Sequence, residues 1–444
     1  MNLKSNERTE KTVAFLMNVF LILVLSMMFS FAWNRFYSRY VYYFYRGNIA
    51  YYLINAILLI LFNWMYGGFN IGYSTTGDLV FSQIISLLFT NIIIFFQVML
   101  GTKKVLPSGP LWGLIGIECA AVILLNFLFN RIYFGIFPPK ATLLVYEEED
   151  PSIYERINAY QKNSYDVQKK ERYETFAQHS EILDQFQCVI GVGLNELQKE
   201  SLAKNCYQRG KSFYLVPNVY DVIVNAGKSV YLVDTPVFKI NNFGPSQISK
   251  LVKRIWDILF SVVFLVITSP IMAVTALAIK LEDHGPVFYK QTRLTQYGRT
   301  FKIIKFRSMK VDAEKDGVAR FAAEDDDRIT KVGHFIRSCR IDELPQLFNI
   351  LKGDMSVVGP RPERPEIQQE ILKTVPDFNL RLGVKAGLTG YAQVYGKYNT
   401  RLKDKLLFDL IYIENFSILL DIRIMFMTFK ILFKKDSTEG VKEQ

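Results

Sequence analysis

Asp342 and Glu343 stand side by side in a charge-rich stretch, residues 327–362. Arg337 and Arg340 precede the pair; Arg361 and Arg364 follow it. Neighbouring carboxylates can hold Mg2+, which takes oxygen ligands from protein and phosphate together. An aspartate can also attack phosphorus and form an acyl phosphate. Arginine grips phosphate oxygens with paired donors. The composition therefore suits phosphate chemistry on an activated substrate. Gly359-Pro-Arg-Pro362 is a rigid turn that fixes Arg361 with little ordering cost.

The same residues also describe a helix start. Neighbours on a regular helix point about 100° apart, so the two carboxyls would not share one proton. Asp342 would be the N-cap, Glu343 would lie in the first turn, and Pro345 would sit where its missing N–H costs nothing. Free backbone donors and the helix dipole would then keep Asp342 ionised. The flanking arginines favour chemistry over a plain cap.

Several elements must position this pair. Residues 285–289 and 301–307 read as strands, the second carrying Lys302, Lys305 and Arg307. Helices are expected near 328–339 and 342–351. The charged loop 312–327 ends in Glu324-Asp-Asp-Asp327, which reads as solvated surface. Residues 404–434 read as one or two amphipathic helices, serving either as an interfacial anchor or as core.

The wider chain has 444 residues, a length that suggests roughly three domains. Half of it is hydrophobic, so membrane segments come first. Apolar runs cover 12–33, 48–66, 79–100 and 111–130. Each is near the ~20 residues that cross a bilayer core. Trp33, Trp64, Tyr66 and Trp112 lie at run ends, where amphipathic rings favour the interface. The first run lacks a small-residue cleavage site after it and reads as a retained helix. Lys and Arg are nearly balanced between the two sets of loops, so charge bias does not orient the bundle. Glu118, inside the fourth run, is either a functional group or a carboxyl bonded to Asn91 or Asn126. The net charge of +11 suits anionic lipid or anionic substrates. No nucleic-acid motif accompanies it. The four cysteines form no CxxC, which argues against structural disulfides and a zinc site.

Residues 141–245 change character. Strands at 141–146, 187–192 and 212–216 alternate with helical stretches near 151–163, 174–185 and 194–209. This pattern predicts a Rossmann-like α/β domain with a parallel sheet. Gly191-Val-Gly193 opens a helix as a dinucleotide fingerprint would, but Glu196 stands where the third glycine belongs. A degenerate structural or regulatory domain is expected. After a linker at 241–246 comes a fifth apolar run, 255–279, led by Lys253-Arg254 and closed by Lys280. Pro270 predicts a kink there, and the Ser269 hydroxyl can satisfy the freed carbonyl. On these grounds a kinked crossing and a re-entrant hairpin remain equally open.

From about 250 to 434 the chain resembles the bacterial sugar transferase family, the monotopic phosphoglycosyl transferases that begin glycan assembly on polyprenyl phosphate. The resemblance rests on Lys305-Phe-Arg-Ser-Met309, Asp327-Arg-Ile-Thr-Lys-Val-Gly333, Asp342-Glu-Leu-Pro-Gln-Leu-Phe-Asn349, Gly353-Asp-Met-Ser356, Gly359-Pro-Arg-Pro362 and Gly387-Leu-Thr-Gly-Tyr-Ala-Gln393. It implies a catalytic nucleophile at Asp342, with Glu343 assisting and sharing Mg2+ with it. It implies phosphate contacts at Lys305, Arg337 and Arg361, and a re-entrant helix broken at Ser269-Pro270. The implied reaction passes a phosphosugar from a UDP-sugar, glucose or galactose first, to undecaprenyl phosphate and releases UMP. Ala386 and Tyr391 replace the family's usual proline and tryptophan, which leaves the sugar open. A UDP-N-acetylhexosamine donor is one rival, and a non-catalytic membrane scaffold for polysaccharide assembly is another. The expected architecture is a membrane protein of mixed class. It has a four-helix transmembrane bundle (1–140), the α/β domain (141–245) and an α+β catalytic domain (246–444). The expected location is the bacterial inner membrane, against lipid, with the catalytic domain cytoplasmic. A homodimer is expected by analogy.

Overall fold

The computed structural model describes residues 7–40, 45–147, 151–240, 244–311, 328–396 and 400–432. The acidic run 324–327, linker residues 241–243, Asp327 of the shared motifs and the tail beyond 432 lie outside them. The chain divides into two compact units, Met1–Val216 and Pro217–Gln444.

In the first unit, helices α1 (Glu7–Ala32), α2 (Tyr45–Tyr66), α3 (Thr76–Thr102) and α4 (Gly109–Ile136) fall on the four apolar runs. Each is long and apolar enough to cross a membrane. Phe15, Leu23, Met27 and Phe31 of α1 are exposed, while Leu21 and Leu25 are buried. Polar side chains turn inward instead. Ser82, Ser86 and Thr90, one turn apart on α3, are buried, and each donates to the carbonyl one turn back. These three paired hydroxyls inside and the apolar groups outside suit a lipid solvent. Glu118 accepts from Asn91 Nδ2 at 2.7 Å, so it ties α4 to α3. Asn126 instead donates to Gln83 Oε1 at 2.6 Å.

The same unit continues through β1 (Lys140–Tyr146), α5 (Pro151–Tyr160), β2 (Tyr165–Arg172), α6 (Tyr173–Gln178), β3 (Cys188–Val192), α7 (Glu196–Gln208) and β4 (Ser212–Leu215). The four strands form one parallel sheet in the order β2-β1-β3-β4. β2 has no apolar run because it is an edge strand with mostly solvent-facing side chains. The start of α7 is satisfied from within: Asn195 accepts from Gln198 N, and Gln198 Oε1 accepts from Asn195 N. Gln198 Nε2 also donates to Glu147 Oε2 at 2.7 Å. A carboxylate thus lies beside this helix start, where a dinucleotide fold would place an anion.

The second unit contains α8 (Val219–Asn225), a hairpin of β5 (Lys228–Leu232) and β6 (Thr235–Lys239), and the long α9 (Gln247–Asp283). β7 (Phe288–Leu294) and β8 (Thr300–Phe306) pair antiparallel. Then come α10 (Lys331–Ser338), α11 (Gln346–Lys352), β9 (Ser356–Val358), α12 (Pro365–Thr374), β10 (Gly387–Thr389), α13 (Tyr391–Tyr395), α14 (Leu402–Glu414) and α15 (Ile418–Leu432). β9 and β10 pair in parallel. Leu347, Ile350, Val357, Leu406, Leu410 and Ile424 meet in one core, which Val222 of α8 also joins. For the C-terminal helices, core packing is therefore what the structure displays.

α9 is helical throughout, with Pro270 inside it. Pro270 cannot donate to the Val266 carbonyl, and Ser269 Oγ takes that carbonyl at 2.8 Å. The middle of the helix is apolar and exposed at Val262, Val266, Ile267 and Val274. Its ends are tied down. Lys253 pairs with Asp421 at 2.5 Å, and Arg254 donates to the Ile350 and Leu351 carbonyls at 2.5 and 2.7 Å. Asp257 Oδ1 accepts from Val357 N at 3.1 Å. At the other end Glu282 accepts from Lys331 N and Val332 N, and Asp283 pairs with Arg307.

Candidate active site

The Asp342-Glu343 pair is presented differently from a helix cap. α10 ends at Ser338 with Cys339 as its C-cap, and Arg340 follows in the left-handed region at φ 52. Residues Ile341–Glu343 then form a single 3-10 turn, closed by Leu344 N donating to the Ile341 carbonyl at 3.1 Å. Pro345, not Asp342, is the N-cap of α11. The expectation that a helix start holds Asp342 is thus corrected. The pair precedes α11, and its charge is set by side chains. A left-handed conformation costs a β-carbon-bearing residue roughly 1–2 kcal/mol.

Three segments converge on the turn. β8 delivers Lys305, whose Nζ lies 2.9 Å from Glu343 Oε1 and 4.0 Å from Asp342 Oδ2. Asn349 of α11 fixes the strand, accepting from Ile304 N and donating to the Lys302 carbonyl, both at 2.9 Å. The turn after β9 delivers Arg361, with Nη1 at 3.8 Å from Glu343 Oε1. That turn is held on two sides. Gly359 N donates to the Thr389 carbonyl and Gly387 N to the Pro360 carbonyl, each at 2.9 Å, while Arg293 donates to the Pro362 carbonyl at 3.1 Å. A Cβ on Gly359 would overlap the Lys385 carbonyl oxygen, so the close approach requires glycine. Arg340 approaches the other carboxylate oxygen, with Nη1 at 3.9 Å from Glu343 Oε2.

The two carboxyls are driven apart in acidity. Burial works against the charge on Glu343, but Lys305, Arg361 and Arg340 outweigh it and hold the group down, at about 2. Asp342 is pushed up to about 6, first by burial and then by the Glu343 charge, with Lys305, Arg337 and Arg340 offsetting part of the rise. Glu343 is therefore a fixed anion. Asp342 is a comparatively basic carboxylate, still largely ionised at neutral pH, and higher basicity favours attack on an electrophile.

Asp342, Glu343, Lys305 and Arg361 come within 4.0 Å of a neighbour in one cluster, and Arg337 reaches Asp342 through its field. Ser269 bonds within α9. Arg340 flanks the pair in sequence, but only its backbone conformation and its reach to Glu343 bring it into the site. Arg293 and Asn349 act through backbone groups, which residue type alone does not reveal. Among the described residues no three His, Cys, Asp or Glu side chains gather into an all-protein metal cage. Two hard carboxylates with places left over fit Mg2+ shared with substrate phosphates.

Residues 248–435 match the family described as bacterial sugar transferase. The chain is 45% identical over 189 residues to the UDP-N-acetylgalactosamine-undecaprenyl-phosphate N-acetylgalactosaminephosphotransferase of Aeromonas hydrophila, covering 42% of this chain and 44% of the relative. It is 38% identical over 222 residues to the UDP-glucose:undecaprenyl-phosphate glucose-1-phosphate transferase of Escherichia coli K12, covering 49% and 48%. The match thus spans about half the length of these relatives. A putative undecaprenyl-phosphate N-acetylgalactosaminyl 1-phosphate transferase of Bacillus subtilis is 52% identical over 132 residues, covering 30% of this chain and 73% of the relative.

Proposed function

Because the chain belongs to the bacterial sugar transferase family, we propose that it moves a sugar-1-phosphate from a UDP-sugar to undecaprenyl phosphate and so starts capsule, exopolysaccharide or O-antigen synthesis. The observation that carries this reading is the geometry of the cluster: Lys305 lies 2.9 Å from Glu343 and 4.0 Å from Asp342, and Arg361 stands 3.8 Å from Glu343, so cations surround an adjacent carboxylate pair.

A carboxylate oxygen of Asp342 attacks the phosphorus that bears the sugar. The bond from that phosphorus to the bridging oxygen breaks, and its electron pair leaves on UMP. A phosphate oxygen of the lipid then attacks the same phosphorus, the bond to Asp342 breaks, and the carboxylate is regenerated. Lys305 holds Glu343 in place and neutralises it, while Arg361 and Arg337 face the substrate phosphates. Asp342 and Glu343 would hold Mg2+, which neutralises phosphate charge when bound. Transfer of this kind depends mainly on alignment and charge neutralisation.

α9 serves as a re-entrant membrane anchor, with both ends and the catalytic unit on the cytoplasmic side of the inner membrane. Its start is bonded to α11, α11 is bonded through Asn349 to β8, and Arg307 just beyond β8 pairs with its end. Groups so linked support both ends lying on one side of a bilayer core of about 30 Å. The donor is a UDP-hexose. Glucose or galactose is the first reading, and the 45% match favours N-acetylgalactosamine as the second.

Intact mass and UMP release across a panel of UDP-sugars test the proposal. Wild type should gain one phosphosugar from its donor in the absence of lipid, and Asp342→Asn should lose adduct and turnover by at least about 10³-fold. Undiminished lipid-linked product from Asp342→Asn would exclude the mechanism.

A further inference from the structure

Lys405 lies on α14, one helical turn before Asp409, so the two side chains share a face. That face is locked onto the segment that carries Arg361. Asp409, 1% exposed, accepts from Arg381 Nε at 2.8 Å and pairs with its Nη2 at 2.7 Å. Arg381 Nη1 in turn stands 3.8 Å from Glu363 Oε1, two residues beyond Arg361. Leu294 N donates to the Glu363 carbonyl at 2.9 Å and ties the same segment to β7.

Arg381 and Asp409 thus satisfy each other, and Lys405 stands apart from them. It is half-buried, yet among the described residues its amine makes neither a hydrogen bond nor an ion pair. Burial lowers its pKa from the ordinary lysine value; Glu363 opposes that, Arg361 and Arg381 add to it, and Asp409 opposes it. A half-buried amine without a bonded partner, in the field of two other cations, is unfavourable by itself, and an apolar side chain would fill the position without that cost. Arg361 is 3.8 Å from Glu343, beyond hydrogen-bond length, and its side chain is 47% exposed. An anion set against both Lys405 and Arg361 would relieve the repulsion between them.

We infer that Lys405 is a substrate-binding residue, which together with Arg361 holds a substrate phosphate on the α14 side of the site. That phosphate belongs either to the diphosphate of the nucleotide sugar or to the lipid acceptor. The assignment rests on the reaction proposed above and adds a contact to it.

The test uses the full-length protein in detergent and reads the two halves of the reaction separately, with thermal stability in parallel. In the first arm UDP-sugar is titrated without lipid, and adduct is followed by intact mass. In the second, adduct freed of UDP-sugar is mixed with increasing undecaprenyl phosphate, and its decay is followed. Lys405→Met removes the charge and keeps the length; Lys403→Met, at an exposed lysine of the same helix, is the control. Lys405→Met should melt near the wild-type temperature. Its half-saturating concentration should rise at least about tenfold in one arm or both, the effect of losing one charge-assisted hydrogen bond, and the arm identifies the phosphate. Lys405→Arg should recover part of the loss, and Lys403→Met should match wild type. Wild-type half-saturation in both arms for Lys405→Met would overturn the assignment and leave the proposed reaction standing. So would a variant that loses only stability or maximal rate. If wild type forms neither adduct nor UMP with any donor, the underlying reaction falls, and the Lys405 assignment falls with it.

Discussion

Asp342 and Glu343 are pushed in opposite directions of acidity, and pH tests whether the proposed chemistry uses that difference. With Asp342 at about 6, protonation should remove the nucleophile as pH falls through that value. Adduct formation from UDP-sugar should therefore show an acidic limb near 6, with ionised Asp342 active above it. Glu343 stays charged across that range, because the surrounding cations hold it far lower. Glu343→Gln removes the adjacent negative charge, which lowers the Asp342 pKa, so the limb should move to lower pH. Rapid-quench rates between pH 4.5 and 8 check both statements. An unmoved limb would show that something other than the pair sets it. The residue types alone announced phosphate chemistry, but not which carboxylate was the stable anion. That assignment follows from Lys305 of β8 reaching Glu343 in its 3-10 turn.

Among the elements, α9 has two roles. Its apolar middle faces outward, and its first turns hold both arms of the site. Arg254 takes the last carbonyls of α11, whose other end leads from Asp342-Glu343, and Asp257 takes Val357 N on β9, which leads to Arg361. Asp257 is 3% exposed, so Asp257→Ala should leave the Val357 N–H buried without its acceptor and cost about 1–3 kcal/mol. Asp257→Asn keeps an acceptor oxygen and should lose less. Denaturation midpoints of the two variants in detergent provide the comparison, and equal stabilities would remove this role from Asp257. A charged residue near the start of an apolar run ordinarily reads as a headgroup contact. Its inward direction is set by packing against β9, which has no signature within α9 itself.

Over the whole molecule, the anchoring of α9 predicts topology. Ile248 and His284 flank its apolar stretch and are both exposed. Ile248→Cys and His284→Cys, each made in a Cys339→Ser background, should react with a membrane-impermeant thiol reagent from one face of sealed vesicles. The exposed native Cys339 of the parent should react from that same face. Labelling of the two substituted positions from opposite faces would establish a crossing helix and would rule out the re-entrant reading.

Local pattern was enough for much of this protein. Four apolar runs became four helices because length and hydropathy are properties of contiguous residues. The parallel sheet followed from alternating strands and helices, and the Ser269 hydroxyl met the carbonyl freed by Pro270 because that bond spans a single turn. The carboxylate pair stood out because its neighbours in sequence are charged. Tertiary structure decided the rest: the 3-10 turn in place of a helix cap, the division of acidity between Asp342 and Glu343, the inward grip of Asp257, and the polar edge strand β2. All of these except the turn, which Leu344 N closes on the Ile341 carbonyl, depend on a partner tens of residues away. Charge and burial add up through space, and the one-dimensional order of the chain does not record which groups will meet.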